Sequence, residues 1–278
     1  MATKKAATST KKAPARKSAP AKTTRTSVTT APARATKKNT VVGQVQDSIQ
    51  SVALWRSFGA ELVGTFLLAS VVIAGQGQPI FVLFALAGIV LLIGAISGAH
   101  VNPAVTIGAW VTRRIGWLRA IGYIVVQILG AALAYFILSG FLAGAPAVDA
   151  SSAALGQTAP ALFKAADLTL LVGKEWYLFF GELVGTLILG MAIASATREK
   201  TDRTAAAFTA GLGIFIALMV AVSSASYVSG TAIINPAVAV SLQAYSLNVW
   251  SFFIYAFAPI VGAVAGFILH DLLRGRSA

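Results

Sequence analysis

The chain has 278 residues, of which 57% are hydrophobic and only 11% are charged, and it carries a formal net charge of +13. Its mean hydropathy of +0.78 is too high for an ordinary soluble domain and indicates several membrane spans. It contains no cysteine, and its two histidines, His100 and His270, lie far apart. Disulfides and thiol chemistry are therefore excluded. We also expect no histidine-based metal site, no bound cofactor and no enzymatic activity.

Residues 1–47 differ in composition from the rest of the chain. The first 50 residues hold 11 Lys and Arg against one Asp, a net charge of +10, and almost no large apolar side chain. Such a segment cannot bury enough apolar surface to offset its ordering entropy, so we predict a disordered basic tail. We favour a solvated tail that fixes topology. Contact with anionic lipid headgroups remains an alternative, whereas a nucleic-acid partner is not expected.

Six apolar segments follow the tail, and each is long enough to cross a bilayer as a helix. They are predicted at about 52–74, 80–96, 117–142, 176–196, 205–226 and 249–270. A long loop of mostly small residues, 143–173, separates the third segment from the fourth. We therefore predict a membrane domain at 48–273, with repeats at about 52–142 and 174–270, and a short C-terminal tail at 274–278.

The two halves of this domain carry the same pentapeptide. Glu-Leu-Val-Gly-Thr begins at Glu61 in the first span and again at Glu182 in the fourth. Because each half has three spans, an odd number, the repeats must be inverted relative to each other. Inverted repeats place a functional site near the midplane, where broken helices meet.

Each half also carries one Asn-Pro-Ala tripeptide, at Asn102, Pro103, Ala104 and at Asn235, Pro236, Ala237. Asn is a favoured helix N-cap and Pro suits the first helical position. The apolar runs that follow are too short to span a bilayer, so they predict two half-helices that enter from opposite sides. Their positive N-terminal ends would meet near the midplane, with each Asn amide directed into a lumen that repels cations.

The lysines and arginines outside the tail predict the topology. They collect in the segments 113–119, 198–203 and 274–276, whereas the turn at 75–79 has none. By the positive-inside rule both termini face the cytoplasm. The first half-helix then enters the membrane from the cytoplasmic side and the second from the opposite side.

Two carboxylates, Glu61 and Glu182, lie deep within predicted spans, where a bare charge is costly. We favour a structural brace, in which each accepts hydrogen bonds from the non-helical backbone beside a half-helix. A proton relay is the alternative. His100, two residues before Asn102, is expected to pin the same loop, because a lone His offers no metal-ligand set.

The two Asn-Pro-Ala boxes, together with the signature Ile-Ser-Gly-Ala-His-Val-Asn-Pro-Ala-Val-Thr at 96–106, resemble the aquaporin and aquaglyceroporin family over about 54–273. The resemblance implies an all-α membrane protein with six transmembrane helices and two half-helices in an inverted repeat. It also implies a passive channel for water and small neutral solutes, assembled as a homotetramer with one pore per subunit. We expect it in the plasma membrane of its cell.

One position departs from the family pattern. Most members carry Arg directly after the second Asn-Pro-Ala, where it forms the narrowest ring, and this chain carries Val238. Counting back from the two Asn residues assigns the other ring positions to Val82, Ser223 and Ala232, with Thr231 as the alternative to Ala232. Losing a guanidinium removes a charge and five donors. We therefore expect a wider, less polar ring that passes water and solutes such as glycerol, urea, ammonia or hydrogen peroxide.

Two other classes of membrane protein remain as alternatives. An ion-coupled transporter with inverted repeats would need more buried ionisable groups than Glu61 and Glu182 supply. A membrane structural protein that has lost transport would have the basic tail as its active part.

Overall fold

The computed structural model describes residues 49–145, 148–149, 151, 154–156 and 161–275, and the predicted tail at 1–47 lies outside them. Within these residues the regular structure is helical. The helices, in chain order, are α1 (Val52–Ala74), α2 (Pro79–Ser97), α3 (Pro103–Val111), α4 (Trp117–Ala143), α5 (Glu175–Ala196), α6 (Arg203–Ser226), α7 (Pro236–Ser241) and α8 (Val249–Arg274).

Six of these helices, all except α3 and α7, are long and apolar enough to cross a membrane, which confirms the predicted spans. The last helix differs most from its prediction, since α8 continues four residues past the expected end at 270. It therefore takes in the first residue of the predicted C-terminal tail. Its segment Phe253–Phe257 is a π-helix, which the apolar pattern gives no means of predicting.

The two halves of the chain pack in matching ways. Within the first half α1 packs on α2 and α4, and within the second half α5 packs on α6 and α8. Helices α2 and α6 join the halves. Each half-helix then lies against the third helix of the other half, with α3 on α8 and α7 on α4. The half-helices are thus held across the boundary between the repeats, with their N-termini toward each other.

Glycines allow the long helices to approach closely. A Cβ atom added at Gly262 or Gly266 of α8 would collide with backbone carbonyls of Leu183 and Leu187 on α5. Gly130 of α4 allows the same close approach to α1, because a Cβ atom added there would meet the carbonyl of Leu62. Small residues at such positions permit backbone-to-backbone packing in a membrane. These contacts fix the two three-helix units that carry the half-helices.

Charged residues define one end of the bundle, which we call the basic end. Arg114, Arg198, Lys200 and Arg274 line a single cavity there. The opposite end, which we call the far end, holds the turn at 75–78 and the loop after 161. That loop contains a short 3-10 helix, Leu168–Leu171, and its Ala165 N–H donates to the carbonyl of Leu242.

Candidate functional site

Each half-helix begins at the asparagine of an Asn-Pro-Ala tripeptide. Oδ1 of Asn102 accepts from the N–H of Ala104 at 2.9 Å and of Val105 at 3.4 Å. Oδ1 of Asn235 accepts from Ala237 at 3.0 Å and Val238 at 3.3 Å. Both side-chain oxygens are therefore held in place by N–H groups that have no partner within a helix.

The asparagine amides also cross-link the two halves. Nδ2 of Asn102 donates to the carbonyl of Ile234 at 2.9 Å, and Nδ2 of Asn235 donates to the carbonyl of Val101, also at 2.9 Å. The sequence predicts amides that only face the lumen, whereas one N–H of each is committed to the opposite loop. Both side chains line one small cavity, and each amide has a second N–H besides the one that bonds to the opposite loop.

The residues before the asparagines adopt an uncommon backbone conformation. Val101 has φ 41° and Ile234 has φ 51°, in the left-handed region that β-branched residues rarely enter. Each such residue costs on the order of 1–3 kcal/mol and persists only where its surroundings hold it. The conformation turns each N–H toward a carboxylate and each carbonyl toward the opposite asparagine.

Glu61 holds the first of these loops. Its Oε1 accepts from the N–H of His100 at 2.9 Å and its Oε2 from the N–H of Val101 at 2.7 Å. A third donor is Nε2 of Gln127, at 2.7 Å from Oε2, which also reaches Oγ1 of Thr106 at 3.0 Å. All of these side chains are buried, so the carboxylate is shielded from solvent and paired with three donors.

Glu182 holds the second loop in the same way but with fewer partners. Its two carboxylate oxygens accept from the N–H groups of Ile233 and Ile234. No side-chain donor to this carboxylate occurs among the hydrogen bonds of the described residues. Both carboxylates thus adopt the arrangement that the sequence predicts for a structural brace, and the first brace has one more donor than the second.

His100 lies between the basic-end cavity and the small cavity that the two asparagines line. Its ring lines both cavities and packs edge-on against Tyr123, with ring centroids 5.4 Å apart. Nδ1 lies 3.3 Å from Oγ1 of Thr106. In the described ranges, no group of three His, Asp or Glu side chains is placed to hold a metal ion. The ring thus forms part of the wall between the two cavities and is anchored on one side.

The cavity shared by the two asparagines is very small. Its volume is about 10 Å³, near the roughly 10–15 Å³ that one water molecule needs. Apart from the loop residues its walls are aliphatic, and they are formed by Leu68, Leu86, Val105, Leu189, Ile193 and Ile214. Toward the basic end it is bordered by cavities of about 280 and 590 Å³, which share Ile193 and His100 with it. We call the small cavity the throat.

The four predicted ring residues occupy different environments. Val82 is buried on α2, four residues or about one turn from Leu86 and nearer the far end. Val238 is buried on α7 and Ala232 is partly buried in the loop before it. Ser223 is exposed and donates to the carbonyl of Met219 on its own helix. It lies nine residues, about 2.5 turns, from Ile214, and therefore on the opposite face of α6 from the throat.

Ser223 thus has to be corrected as a ring residue. The count from Asn235 assumes an ungapped alignment between α6 and α7. A gap in that alignment moves the assignment along α6, and each residue of shift rotates the assigned side chain by about 100°. Leu218 lies one turn from Ile214 on the same side of α6 and is buried.

Comparison with known proteins decides the family. A sequence model of the major intrinsic protein family matches residues 48–270, which is most of the chain. The chain belongs to the major intrinsic protein family. Aquaporin AqpM of Methanothermobacter thermautotrophicus is 34% identical over 202 residues, covering 69% of this chain and 74% of the relative. Glycerol uptake facilitator protein-like 6 of Lactiplantibacillus plantarum is 33% identical over 218 residues, covering 75% and 94%.

A solved structure shares the fold of this major intrinsic protein. The aquaglyceroporin from Plasmodium falciparum superposes with a TM-score of 0.58 at 22% identity, over 78% of this chain and 96% of that one. Membership of the family makes the chain a passive membrane channel and not an enzyme.

Sequence reasoning missed the ion-pair hub at the basic end of the channel. Asp271 of α8 pairs with Arg114 at 2.7 Å and with Arg198 at 2.8 Å. Arg114 also donates to the carbonyl of Ala194 and lies 4.8 Å from the centre of the Phe267 ring. The hub joins the end of a half-helix, the turn after α5 and the last helix. A lone acid beside the final turn of the last span was its only signal in the sequence.

Two tyrosines that were also missed hold the second half-helix from the far end. The hydroxyl of Tyr245 donates to the carbonyls of Pro236 and Tyr255, at 3.2 and 3.0 Å. The Tyr255 carbonyl lies in the π-helical segment, where the normal helical ladder is interrupted. The Tyr255 hydroxyl donates to the carbonyl of Thr231 at 3.0 Å. The loop before Asn235 is therefore anchored on α8 as well as on Glu182.

Proposed function

We propose that this chain conducts water and small uncharged solutes passively along a single path through the throat. The observation that carries the proposal is that Asn102 and Asn235, 133 positions apart, line one cavity while each donates to the other's loop. The candidate solutes besides water are glycerol, urea, ammonia and hydrogen peroxide. The test is osmotic swelling of proteoliposomes in water and solute gradients. Swelling no faster than in empty vesicles in every gradient would end the proposal.

Ion exclusion follows from the half-helix termini. Each helix N-terminus carries roughly half a positive elementary charge, and these ends face the asparagine-lined throat. Because Val238 supplies no fixed charge, exclusion of cations and protons depends more on these termini than in a channel with Arg at this position. A planar-bilayer recording of the wild type beside Val238→Arg tests this. A freely proton-conducting wild type would contradict it.

The outer ring is proposed to consist of Val82, Leu218, Ala232 and Val238. Leu218 takes the place that the sequence count gives to Ser223, because it lies on the same face of α6 as Ile214. Such a ring offers aliphatic surface and backbone groups but no charged donor. Because this ring has no guanidinium to bond water, it would discriminate only weakly between water and other small neutral solutes.

The basic end is proposed to face the cytoplasm, which also places both termini there, in the plasma membrane. Arg114, Arg198, Lys200 and Arg274 at one end support this orientation. The natural chain has no cysteine, so single introduced thiols report topology directly. Gln78→Cys at the far end should react with a membrane-impermeant maleimide in intact cells, and Lys200→Cys should react only after lysis. The reverse pattern would invert the topology.

The domain boundaries, tail and assembly are further parts of the proposal. Residues 1–47 would be a solvated tail outside a channel domain at 48–273, with anionic lipid as the alternative partner of the tail. Deleting residues 2–45 should leave water permeability unchanged. Loss of transport would favour a structural role for the tail. A homotetramer is proposed from the family, and its mass in detergent tests it.

A further inference from the structure

The small cavity between the two asparagines is walled mainly by aliphatic side chains. Four of them, one from each of four membrane-spanning helices, form what we call the collar, namely Leu68 of α1, Leu86 of α2, Leu189 of α5 and Ile214 of α6. Each is at most 3% exposed. They close the throat to about 10 Å³, next to basic-end cavities of about 280 and 590 Å³.

The collar follows the inverted repeat of the chain. Leu68 lies seven residues after Glu61, and Leu189 lies seven residues after Glu182, so the two leucines occupy matching positions. The helices α2 and α6, which supply Leu86 and Ile214, pack directly on each other. Matching elements of both repeats therefore place large apolar side chains at one level.

The loops beside the collar cannot move aside to admit a wider molecule. Asn102 and Asn235 donate across to Ile234 and Val101, whose N–H groups are held by the two buried carboxylates. A shift of either loop would break hydrogen bonds to charged groups in a buried environment, which are among the strongest in proteins. The clearance is consequently set by the collar side chains.

Three of the four proposed ring residues have smaller side chains than the collar residues. Val82 and Val238 have three side-chain carbons and Ala232 has one, and only Leu218 matches the four carbons of every collar residue. This difference in side-chain size points to the asparagine level as the step at which solutes meet the largest steric barrier.

We propose that the collar, rather than the outer ring, sorts solutes by size in this channel. The inference rests on the proposed channel function. It adds the level at which solutes are sorted and the size of solute that is slowed there. Water, whose share of liquid volume is about 30 Å³, passes in single file and bonds the free N–H of each asparagine. Ammonia has similar dimensions and passes with it. A polyol with a three-carbon backbone, such as glycerol, passes only when collar side chains are displaced.

The experiment measures glycerol and water permeability of the full-length channel in the same proteoliposomes and uses their ratio. Leu86→Ala and Leu189→Ala each remove three carbon atoms from the collar. The matched control is Leu83→Ala, which makes the same truncation at a buried position of α2 outside the throat. Water flux in each sample shows that the variant has folded. If an alanine variant fails to reconstitute, Leu86→Val or Leu189→Val replaces it in the test.

Each collar variant should raise the glycerol-to-water ratio by about tenfold or more, the size of effect that a single methylene can have in a tight apolar pocket. Leu83→Ala should keep the wild-type ratio, and Val238→Ala should raise it less than either collar variant does. Equal ratios in wild type and collar variants, or a larger rise in Val238→Ala, would overturn the collar proposal. Absence of water flux in the wild type would instead overturn the proposed function.

Discussion

Replacing each buried carboxylate by alanine should damage the two loops to different extents. Glu61 accepts from three donors, His100 N–H, Val101 N–H and Gln127 Nε2, whereas Glu182 accepts from two. An alanine at either position removes both acceptor oxygens. Glu182→Ala therefore leaves two donors unpaired and Glu61→Ala leaves three.

The difference between the variants can be estimated from these hydrogen bonds. A bond to a charged group contributes about 1.5–3 kcal/mol. Both substitutions remove the same buried side chain, so the cavity and the avoided desolvation are similar and cancel in the comparison. Glu61→Ala should cost about 2 kcal/mol more than Glu182→Ala, because it leaves one more donor unpaired. At roughly 2–4 °C per kcal/mol for a domain of this size, the Tm difference is about 4–8 °C.

Thermal unfolding of the purified channel in one detergent measures this difference. Gln127→Leu in the Glu61→Ala background removes the third unpaired donor, so it should recover part of the loss. The same substitution combined with Glu182→Ala should recover nothing. Equal Tm values for the two single variants, or a lower Tm for Glu182→Ala, would refute the reasoning that counts donors.

Two further predictions concern packing and the ion-pair hub. Gly262→Ala should lower Tm, because its Cβ would meet a backbone carbonyl of α5, whereas Gly59→Ala, with open space around its Cβ, should hold or raise Tm by reducing unfolded-state entropy. Thermal unfolding of both variants measures this, and an equal loss in both would contradict it. Asp271→Asn should reduce the free energy of unfolding by at most about 3–5 kcal/mol and therefore lower Tm, since Arg114 and Arg198 lose their shared carboxylate while remaining partly solvated. An unchanged Tm would show that the hub is not structural.

Much of the fold was predictable because the bilayer restricts the solutions available to the chain. An apolar segment of about 20 residues must form a helix so that its backbone is paired. The bounds of α1 agree with the prediction at both ends. The Asn-Pro pairs predicted the starts of both half-helices, since capping is a local property of the sequence.

The interior of the site was less predictable, because it depends on contacts between distant segments. Gln127 is the one amide in the apolar α4, yet only the packing of α4 on α1 shows that it reaches Glu61. The left-handed backbone of Val101 and Ile234 contradicts local propensity and is imposed by the carboxylates and amides around it. No pattern within either loop predicts it.

The ring assignment failed at Ser223 for a related reason. A helix rotates by about 100° per residue, so a misaligned count changes which side chain faces the pathway. Half-helix residues counted from the same Asn, such as Val238, carry no such error, because no gap intervenes. The collar was missed because leucine and isoleucine in a membrane helix carry no signal that distinguishes a pore wall from a lipid-facing surface.

The most direct test of the central claim is stopped-flow water permeability of proteoliposomes holding the wild type and a variant that fills the throat. Leu86→Trp places a large ring in the cavity between Asn102 and Asn235. Leu92→Trp, on the same helix but 67% exposed on the outer surface, is the matched control. The account predicts rapid swelling for the wild type and Leu92→Trp, and swelling near that of empty vesicles for Leu86→Trp. Equal swelling for all three proteins would contradict it.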